Sequence, residues 1–399
     1  MKFTKLYSTR LINLFLALTL TFLLVTMMAK SNEPQLESVP SDYSMTFERK
    51  GDYTSKIKKL KDYLLNDKSN EEKNKLTFRC HEHPCGGLGD RMRGAIFVFY
   101  LSLFTNRRYD FNWDFPHPIE LFIDTPSFIK HTYKSDENPH IIYHIDNYSL
   151  DWVRNTNFVK DWEKFSNVEI RSNNYLWLHL FENQHFQEII NRKFSYLKGL
   201  NKFELTHIAM NILFNESPSV ILKINNILKN VPSMYKIGIQ HRTGDKEFGV
   251  DWIRHSPRSG ACLATQAVKV CKESKIKCAF FITSDSPKSL LKIKSIISKD
   301  SKDHIFMDSP GIIKHVDMPG KTNSTDFEEN YSKTYVDWFL LSRMDALIIS
   351  RSGFGELAST RFLPSTYRLD LEKSECVFQS YFQLASEEYG ELRALYPAP

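Results

Sequence analysis

The residues best suited to bind a charged ligand are Arg242 and Asp245, in the segment Gln240–Asp245 that follows the apolar run 235–239. Ligands of open α/β sheets bind outside the carboxyl ends of the strands. An arginine at such an end presents a planar fork of donors that fits two phosphate oxygens. The segment therefore predicts an anion site, and the alternative is an arginine–aspartate pair that only stabilises the strand end.

Three further segments carry glycine, hydroxyl or carboxylate groups where a strand is predicted to end. In Gly86–Arg91, the glycines before a predicted helix let a ligand approach the backbone. The alternative is that they only form a turn. The segment lacks the lysine of a P-loop and the glycine spacing of a dinucleotide-binding motif. Thr283–Ser286 can bind a nucleotide base or cap the next helix. The amides of Ser350–Glu356, at a predicted helix start, suit a diphosphate.

The hydrophobic pattern predicts the elements that position these segments. A strand at 76–78, a helix at 90–103 with apolar residues at helical spacing, and a strand at 109–113 form a βαβ opening. Residues 115–230 are aromatic-rich and irregular, with a helix predicted at 185–197.

From Tyr235 onward, predicted strands again alternate with predicted helices. The predicted strands are 235–240, 279–283, 305–307 and 346–350, and the predicted helices are 263–272, 289–297 and 333–343. This order predicts a second α/β domain with a mostly parallel sheet. Two such halves predict a cleft between them.

The chain of 399 residues is longer than one ordinary core requires. Leu11–Ala29 has no charge and, as a helix, would span about 28 Å, the thickness of a bilayer core. Basic residues precede it, which predicts an uncleaved signal-anchor with the rest of the chain in the lumen; the alternative is a cleaved signal peptide.

The predicted organisation is a cytoplasmic tail (1–10), a transmembrane anchor (11–29), a luminal stem (30–75) with an exposed helix at 55–65, an N-terminal α/β domain (76–230), a C-terminal Rossmann-like domain (231–375) and a final segment (376–399).

Six cysteines suit an oxidising compartment, and Cys80–Cys85 is the easiest local bridge. Their spacing does not favour zinc. Glycosylation sequons that a luminal location would make usable begin at Asn147, Asn215, Asn323 and Asn330.

The net charge of +6 is modest, and the chain has no dense basic tract or RNA-binding signature, so nucleic acid is not predicted as a partner. None of the key strand ends carries a DxD motif, which argues against a metal-dependent glycosyltransferase. The glycine loop has no lysine, which argues against a sulfotransferase. No metal ligand is predicted.

In these motifs the chain resembles the superfamily of GDP-fucose-dependent fucosyltransferases that includes the α1,2, α1,6 and protein O-fucosyl groups. The resemblance covers residues 78–362. The matching segments, in family order, are Gly86–Arg91 with Leu103–Arg107, Ile237–Asp245, Thr283–Ser286 and, most specifically, Asp337–Gly355.

The resemblance implies a GT-B-like architecture, inversion at fucose C1 without a metal, GDP-fucose bound by residues 231–375 and an acceptor on the side of residues 76–230. It makes Arg242 the group that holds the β-phosphate, where a fixed cation stabilises the charge of the leaving group. The remaining residues expected to bind the donor are Gly87, Gly89, Asp90, Arg91, Gln240, His241, Ser284, Asp285, Ser286, Arg351, Ser352, Gly353 and Phe354. Gln240 departs from the family pattern, which often has histidine there.

Deprotonation of the acceptor hydroxyl needs a nearby base. The candidates are Asp251 first, then Glu247, with Asp90 and Asp245 also possible; Asp245 can instead orient Arg242. The sequence thus predicts a type II Golgi fucosyltransferase whose acceptor is a glycan, with galactose O2 the first choice and α1,6 or protein O-linked transfer also open. The alternative from another class is a catalytically silent luminal protein that binds a nucleotide or glycan.

Overall fold

The computed structural model describes residues 53–66, 74–81, 85–131, 140–144, 150–173, 175–244, 255, 257–311, 314–316, 327–369 and 376–380. The predicted transmembrane segment 11–29 lies outside these residues. No helix within the described ranges is long and apolar enough to cross a membrane.

The N-terminal half contains a five-stranded sheet in which all neighbouring strands are parallel, in the order β4-β2-β1-β6-β5. A separate antiparallel pair joins β3 to β7. The strands are β1 (Lys75–Cys80), β2 (Arg108–Trp113), β3 (Ile123–Asp124), β4 (Lys130–His131), β5 (His140–His144), β6 (Asn167–Arg171) and β7 (Asn215–Glu216).

Helix α2 (Leu88–Thr105) connects β1 to β2, which confirms the predicted βαβ opening. The helix is buried along almost its whole length because it packs against the sheet on one side and against other helices on the other. Gly94 allows this approach, since a Cβ at this position would collide with the carbonyl oxygen of Ser172. Gly94 thus lets α2 lie directly against the backbone that follows β6.

The C-terminal half contains a six-stranded sheet in the order β10-β9-β8-β11-β12-β13, parallel except for its last strand. The four predicted strands are confirmed, and β12 and β13 are additional. The strands are β8 (Tyr235–His241), β9 (Cys278–Ser284), β10 (Ile305–Met307), β11 (Ala346–Ile349), β12 (Ser365–Leu369) and β13 (Phe378–Ser380). The α/β fold with parallel sheets expected from the sequence is confirmed.

The helices of this half flank the sheet: α9 and α10 pack against each other on one side, and α11 and α12 pack against each other and against helices of the N-terminal half. Their bounds are α9 (Pro257–Ser274), α10 (Pro287–Asp300), α11 (Phe327–Ser342) and α12 (Gly353–Phe362).

The segment expected to be irregular, residues 115–230, is largely helical in its second part. Its helices are α3 (Leu150–Asn155), α4 (Phe158–Asp161), α5 (Trp177–Leu180), α6 (Gln187–Lys193), α7 (Lys202–Leu213) and α8 (Pro218–Leu228), with 3-10 turns at Ile119–Leu121, Gln184–Phe186 and Ser195–Leu197. Four of these helices are only four to seven residues long and bury one or two apolar side chains each, so they carry little helical periodicity for a sequence pattern to reveal.

The helix expected to stand exposed in the stem is present as α1 (Tyr53–Asn66), but it packs on the N-terminal half. Leu60 is fully buried, the Tyr53 hydroxyl donates to Glu204 Oε1 on α7 at 2.7 Å, and the Tyr63 ring lies 5.2 Å from that of Phe194. The folded body therefore begins upstream of the strand at residue 75.

All six cysteines are in disulfide bonds. The predicted bridge Cys80–Cys85 is present, and Cys271 is joined to Cys278. The first bridge ties the end of β1 to the glycine loop that precedes α2.

Candidate functional site

Three of the four candidate segments lie side by side, because β9, β8 and β11 are neighbours in one parallel sheet. Their carboxyl ends therefore share one edge, as expected for a ligand site. The Arg242 amide donates to Ser350 Oγ at 2.8 Å, which fixes the end of β8 against the end of β11. The site edge is thus built from residues more than a hundred positions apart.

Asp285 joins the end of β9 to the chain that leaves β8. Its Oδ2 accepts from Arg242 Nη1 at 2.5 Å and from the Gly244 amide at 2.9 Å. Its Oδ1 accepts from the amide and the hydroxyl of Thr243 at 2.6 and 2.8 Å. Gly244 has φ of +75°, which turns its amide toward the carboxylate at a backbone angle that favours glycine. Four donors thus converge on one carboxylate.

The Asp285 carboxylate is ionised. Burial by itself would raise its pKa, but the Arg242 charge and the hydrogen bonds from Thr243 and Gly244 outweigh burial and hold the pKa below its usual range. Both side chains of the ion pair are largely buried. The guanidinium has five N–H donors, and within the described residues only one of them is bound, so the others can serve a ligand.

The N-terminus of α12 lies at the same edge. Ser352 is its N-cap residue, with Oγ accepting from the Phe354 amide at 3.3 Å. The first amides of a helix carry a partial positive charge and attract anions. Arg351, Gly353 and Phe354, all expected to bind the donor, lie at this helix start.

The fourth segment reaches the same place from the N-terminal half. A Cβ on Gly89, in the first turn of α2, would lie 2.5 Å from the Gly353 carbonyl carbon, so the two helix starts are in direct backbone contact. Arg93 Nη2 bonds Glu356 Oε2 on α12 at 2.7 Å in a largely buried ion pair. Burial would raise the pKa of Glu356, but Arg93 and Arg368 lower it below its usual range. Two positive helix ends are thus held together.

Asp90 and Arg91 take different positions at this junction. Asp90 accepts from the Gly87 amide at 3.2 Å, and its side chain is 41% exposed. Arg91 is fully buried and donates to the carbonyl oxygens of Gly86, Phe115 and Val316. Arg91 therefore holds the glycine loop in shape, whereas Asp90 remains accessible to a ligand or as a base.

Gln240 and His241 point to opposite faces of β8, as successive strand residues do. Gln240 is buried against α12, where its Oε1 accepts from Ser350 Oγ at 3.4 Å. His241 is buried on the other face, hydrogen-bonded through Nε2 to Ser259 Oγ at 2.7 Å and through Nδ1 to Ser289 Oγ. Both side chains thus stabilise the end of β8 through contacts inside the C-terminal half.

The pKa of His241 is lowered to about 4, first by burial and then by nearby His255, although the Asp285 charge opposes the shift. The folded state therefore favours the neutral ring. Between an unfolded pKa of about 6.5 and this value the unfolded chain binds more protons, so stability is lost as pH falls through this window.

We expect the free energy of unfolding to fall by about 2 kcal/mol as pH is lowered from 6.5 to 4, because the unfolded chain binds a proton at His241 that the folded chain does not. Urea titrations over this range measure the effect, and His241→Gln should flatten the pH dependence. His117, whose pKa is also lowered to about 4, should account for part of the slope that remains, and carboxylates with lowered pKa values such as Glu356 contribute at the acid end of the range. The exposed His185 is the matched control. An unchanged pH slope in His241→Gln would contradict the assignment.

Ser284 and Ser286 are occupied locally. Ser284 Oγ accepts from the Ser286 amide at 3.1 Å, and Ser286 is the N-cap residue of α10, with Oγ accepting from the Ser289 amide at 3.4 Å. The helix-cap interpretation of this segment therefore holds for Ser286. The remaining candidates for the base, Asp245, Glu247 and Asp251, lie outside the described residues.

Sequence reasoning placed Thr243, Ser350 and Glu356 inside candidate segments without giving them individual roles, and it missed Arg93 altogether. Each acts through a partner distant in sequence, so no local spacing marked it.

Beneath the end of β9, the fully buried Asp337 accepts from Thr283 Oγ1 at 2.9 Å and lies 3.3 Å from Lys333 Nζ. Burial raises the pKa of Asp337 despite the Lys333 charge.

A prediction concerns the contact between the helix starts. Gly89→Ala should force α2 and α12 apart, because the new methyl group would meet backbone atoms of Gly353 and Phe354 that cannot rotate away. We expect a loss of about 1–3 kcal/mol in the free energy of unfolding and a weaker affinity for GDP. Thermal denaturation and calorimetric titration measure both effects, with Gly260→Ala on α9 as control, since a Cβ there would meet only side-chain atoms at ordinary contact distances of 3.4–3.5 Å. Unchanged GDP affinity would show that the contact does not shape the ligand site.

The described part of the chain contains no group of three or more histidine, cysteine, aspartate or glutamate side chains able to hold a metal ion. What it offers is a fixed arginine and two helix starts at the edge of a parallel sheet. The fold and the site thus define an α/β protein with two mainly parallel sheets and an edge suited to an anion.

Comparison with known proteins identifies the fold. No protein-family model matches the chain, and no curated protein sequence matches it. The structure of an arginine-to-lysine mutant of Arabidopsis thaliana FUT1 in complex with GDP is similar to it, with a TM-score of 0.54 and 17% sequence identity over 80% of this chain and 76% of that one. The chain therefore has the fold of this GDP-binding protein, in agreement with the fucosyltransferase resemblance of its motifs.

Two other solved structures are more distantly similar. Fucosyltransferase NodZ from Bradyrhizobium gives a TM-score of 0.44 with 13% identity over 77% of this chain and 99% of that one. POFUT1 in complex with GDP-fucose gives 0.41 with 8% identity over 72% and 94%.

Proposed function

We propose that the chain is a glycosyltransferase that moves fucose from GDP-fucose to a glycan hydroxyl, with inversion at fucose C1 and without a metal. The observation that carries the proposal is Arg242, held by Asp285 beside the paired starts of α2 and α12. The fold shared with a structure that holds GDP supports the choice of nucleotide.

The chemistry follows from the charge that develops during transfer. When the bond from fucose C1 to the β-phosphate oxygen breaks, negative charge accumulates on the GDP leaving group. A fixed guanidinium and preorganised helix amides stabilise this charge without reorganising during the reaction. Asp90, accessible at the junction, and Asp251, Glu247 and Asp245 are the proposed candidates for the base that accepts the proton of the acceptor hydroxyl.

The acceptor is proposed to bind on the side of residues 76–230, with galactose O2 as first choice. We further propose a single-pass type II location in the Golgi membrane, with the catalytic part in the lumen. The disulfide bonds support an oxidising compartment, and the uncharged segment 11–29 supports an anchor.

The test is incubation of the purified full chain with labelled GDP-fucose and an array of glycan acceptors, followed by linkage analysis of the product. We expect release of GDP coupled to fucosylation of at least one acceptor, without added metal and in the presence of a chelator. Binding of GDP without transfer to any acceptor would favour the alternative, a catalytically silent nucleotide-binding protein. In parallel incubations with other sugar nucleotides, a product made from one of them and none from GDP-fucose would refute the choice of donor.

A further inference from the structure

A group of buried polar atoms lies between the two halves, within electrostatic reach of Arg91. His117, on the loop between β2 and β3, packs against Tyr331 and Tyr335 of α11, with ring centroids 4.8 and 5.5 Å apart. All three side chains are at most 1% exposed. None of the described residues forms a hydrogen bond with His117 Nε2, Tyr331 Oη or Tyr335 Oη.

The hydrogen-bonding character of these atoms is complementary to a hydroxyl group. His117 Nδ1 lies 3.0 Å from the Pro118 carbonyl oxygen, which can only accept, so Nδ1 carries the proton and Nε2 is an acceptor. Burial, as the largest cause, lowers the pKa of His117 to about 4, so the ring stays neutral near pH 7. The two tyrosines offer O–H donors. A molecule that donates one hydrogen bond and accepts two would satisfy the set.

Buried polar groups in native proteins are almost always paired, with protein or with ordered water, because an unpaired group loses its full hydration. Three such atoms on two packed elements therefore indicate a shared small partner. Aromatic rings pack around the group, including Phe122 stacked on Tyr335 at 4.4 Å, so a partner as small as a water molecule suits the site.

We propose that His117, Tyr331 and Tyr335 form an internal binding site for one ordered water molecule that links the β2–β3 loop to α11. The water donates to His117 Nε2 and accepts from the tyrosine hydroxyls. Because the loop belongs to the N-terminal half and α11 to the C-terminal half, this water is a structural tie between the halves. The proposal does not depend on the reaction the protein catalyses.

The test compares removal of these hydroxyls with removal of a hydroxyl already bonded to protein. Tyr109 is the matched control, since its buried hydroxyl donates to the Ala95 carbonyl oxygen at 2.7 Å. Tyr331→Phe, Tyr335→Phe and the control Tyr109→Phe should each lower the melting temperature of the full chain by about 2 °C. The double variant should lose less than the sum of the single losses, because both hydroxyls serve one water.

A rise or no change in melting temperature in Tyr331→Phe and Tyr335→Phe, with a fall in Tyr109→Phe, would overturn the proposal, since it means that the hydroxyls have no partner. A crystal structure of the full chain gives the direct measurement. A solvent peak within hydrogen-bond distance of His117 Nε2 and a tyrosine hydroxyl would support the site. A protein side chain at that position would refute it.

Discussion

Arg242→Ala should lower kcat for fucose transfer by about 10²–10³-fold, because it removes the fixed cation proposed to face the leaving phosphate. The effect on kcat should exceed the effect on the acceptor KM, since the charge on GDP develops in the transition state. Single-turnover measurement of transfer to the acceptor found in the array screen gives the rate.

The loss must be separated from unfolding, since the variant leaves Asp285 buried without its arginine. Asp285 retains three hydrogen bonds from Thr243 and Gly244, so the fold should survive, which circular dichroism checks. Arg242→Lys keeps the charge but not the planar fork and should recover only part of the rate. Arg192→Ala, at an exposed arginine on α6, is the matched control. Near wild-type transfer by Arg242→Ala would refute the proposed role.

Asp285→Ala should weaken GDP binding as well as transfer, because four donors lose their common acceptor. The chain after β8 would no longer be held, and Arg242 would remain largely buried without a counter-charge. We expect the free energy of unfolding to fall by about 3 kcal/mol and transfer to fall by about 10²-fold. Urea denaturation and calorimetric titration with GDP measure the two effects.

Asp285→Asn separates charge from shape. The amide fills the same space but cannot accept from all four donors, so it should bind GDP better than Asp285→Ala and worse than wild type. Asp300→Ala is the control, because the exposed pair of Asp300 with Lys272 on the outer helices should contribute little. If Asp285→Ala bound GDP as tightly as the wild type, Asp285 would not organise the site.

The strands of the C-terminal half could be predicted because each is a short apolar run followed by polar residues. Parallel order then brought Arg242, Asp285 and Ser352 to one edge without any knowledge of their partners. The βαβ opening was predictable for the same reason, since α2 has a clear helical period.

The contacts that define the site geometry could not be predicted. Arg93 and Glu356 are 263 positions apart, and nothing near either residue indicates that their helices meet. The sequence offers Asp245 as one possible partner of Arg242, and nothing in it indicates that Asp285 contacts Arg242 from the next strand. The packing of α1 was also missed, because only Tyr53 and Leu60 of that helix are buried and a polar composition conceals them.

The geometry of Asp285 has a consequence for nucleobase selectivity. Each of its oxygens already accepts two hydrogen bonds from its own chain, and these use the lone pairs that a carboxylate would need to bind the N1 and exocyclic N2 of guanine. Discrimination between guanine and adenine nucleotides would then fall to neighbouring groups. In the proposed function, Asp285 would therefore contribute by fixing Arg242 for the diphosphate and not by binding the base.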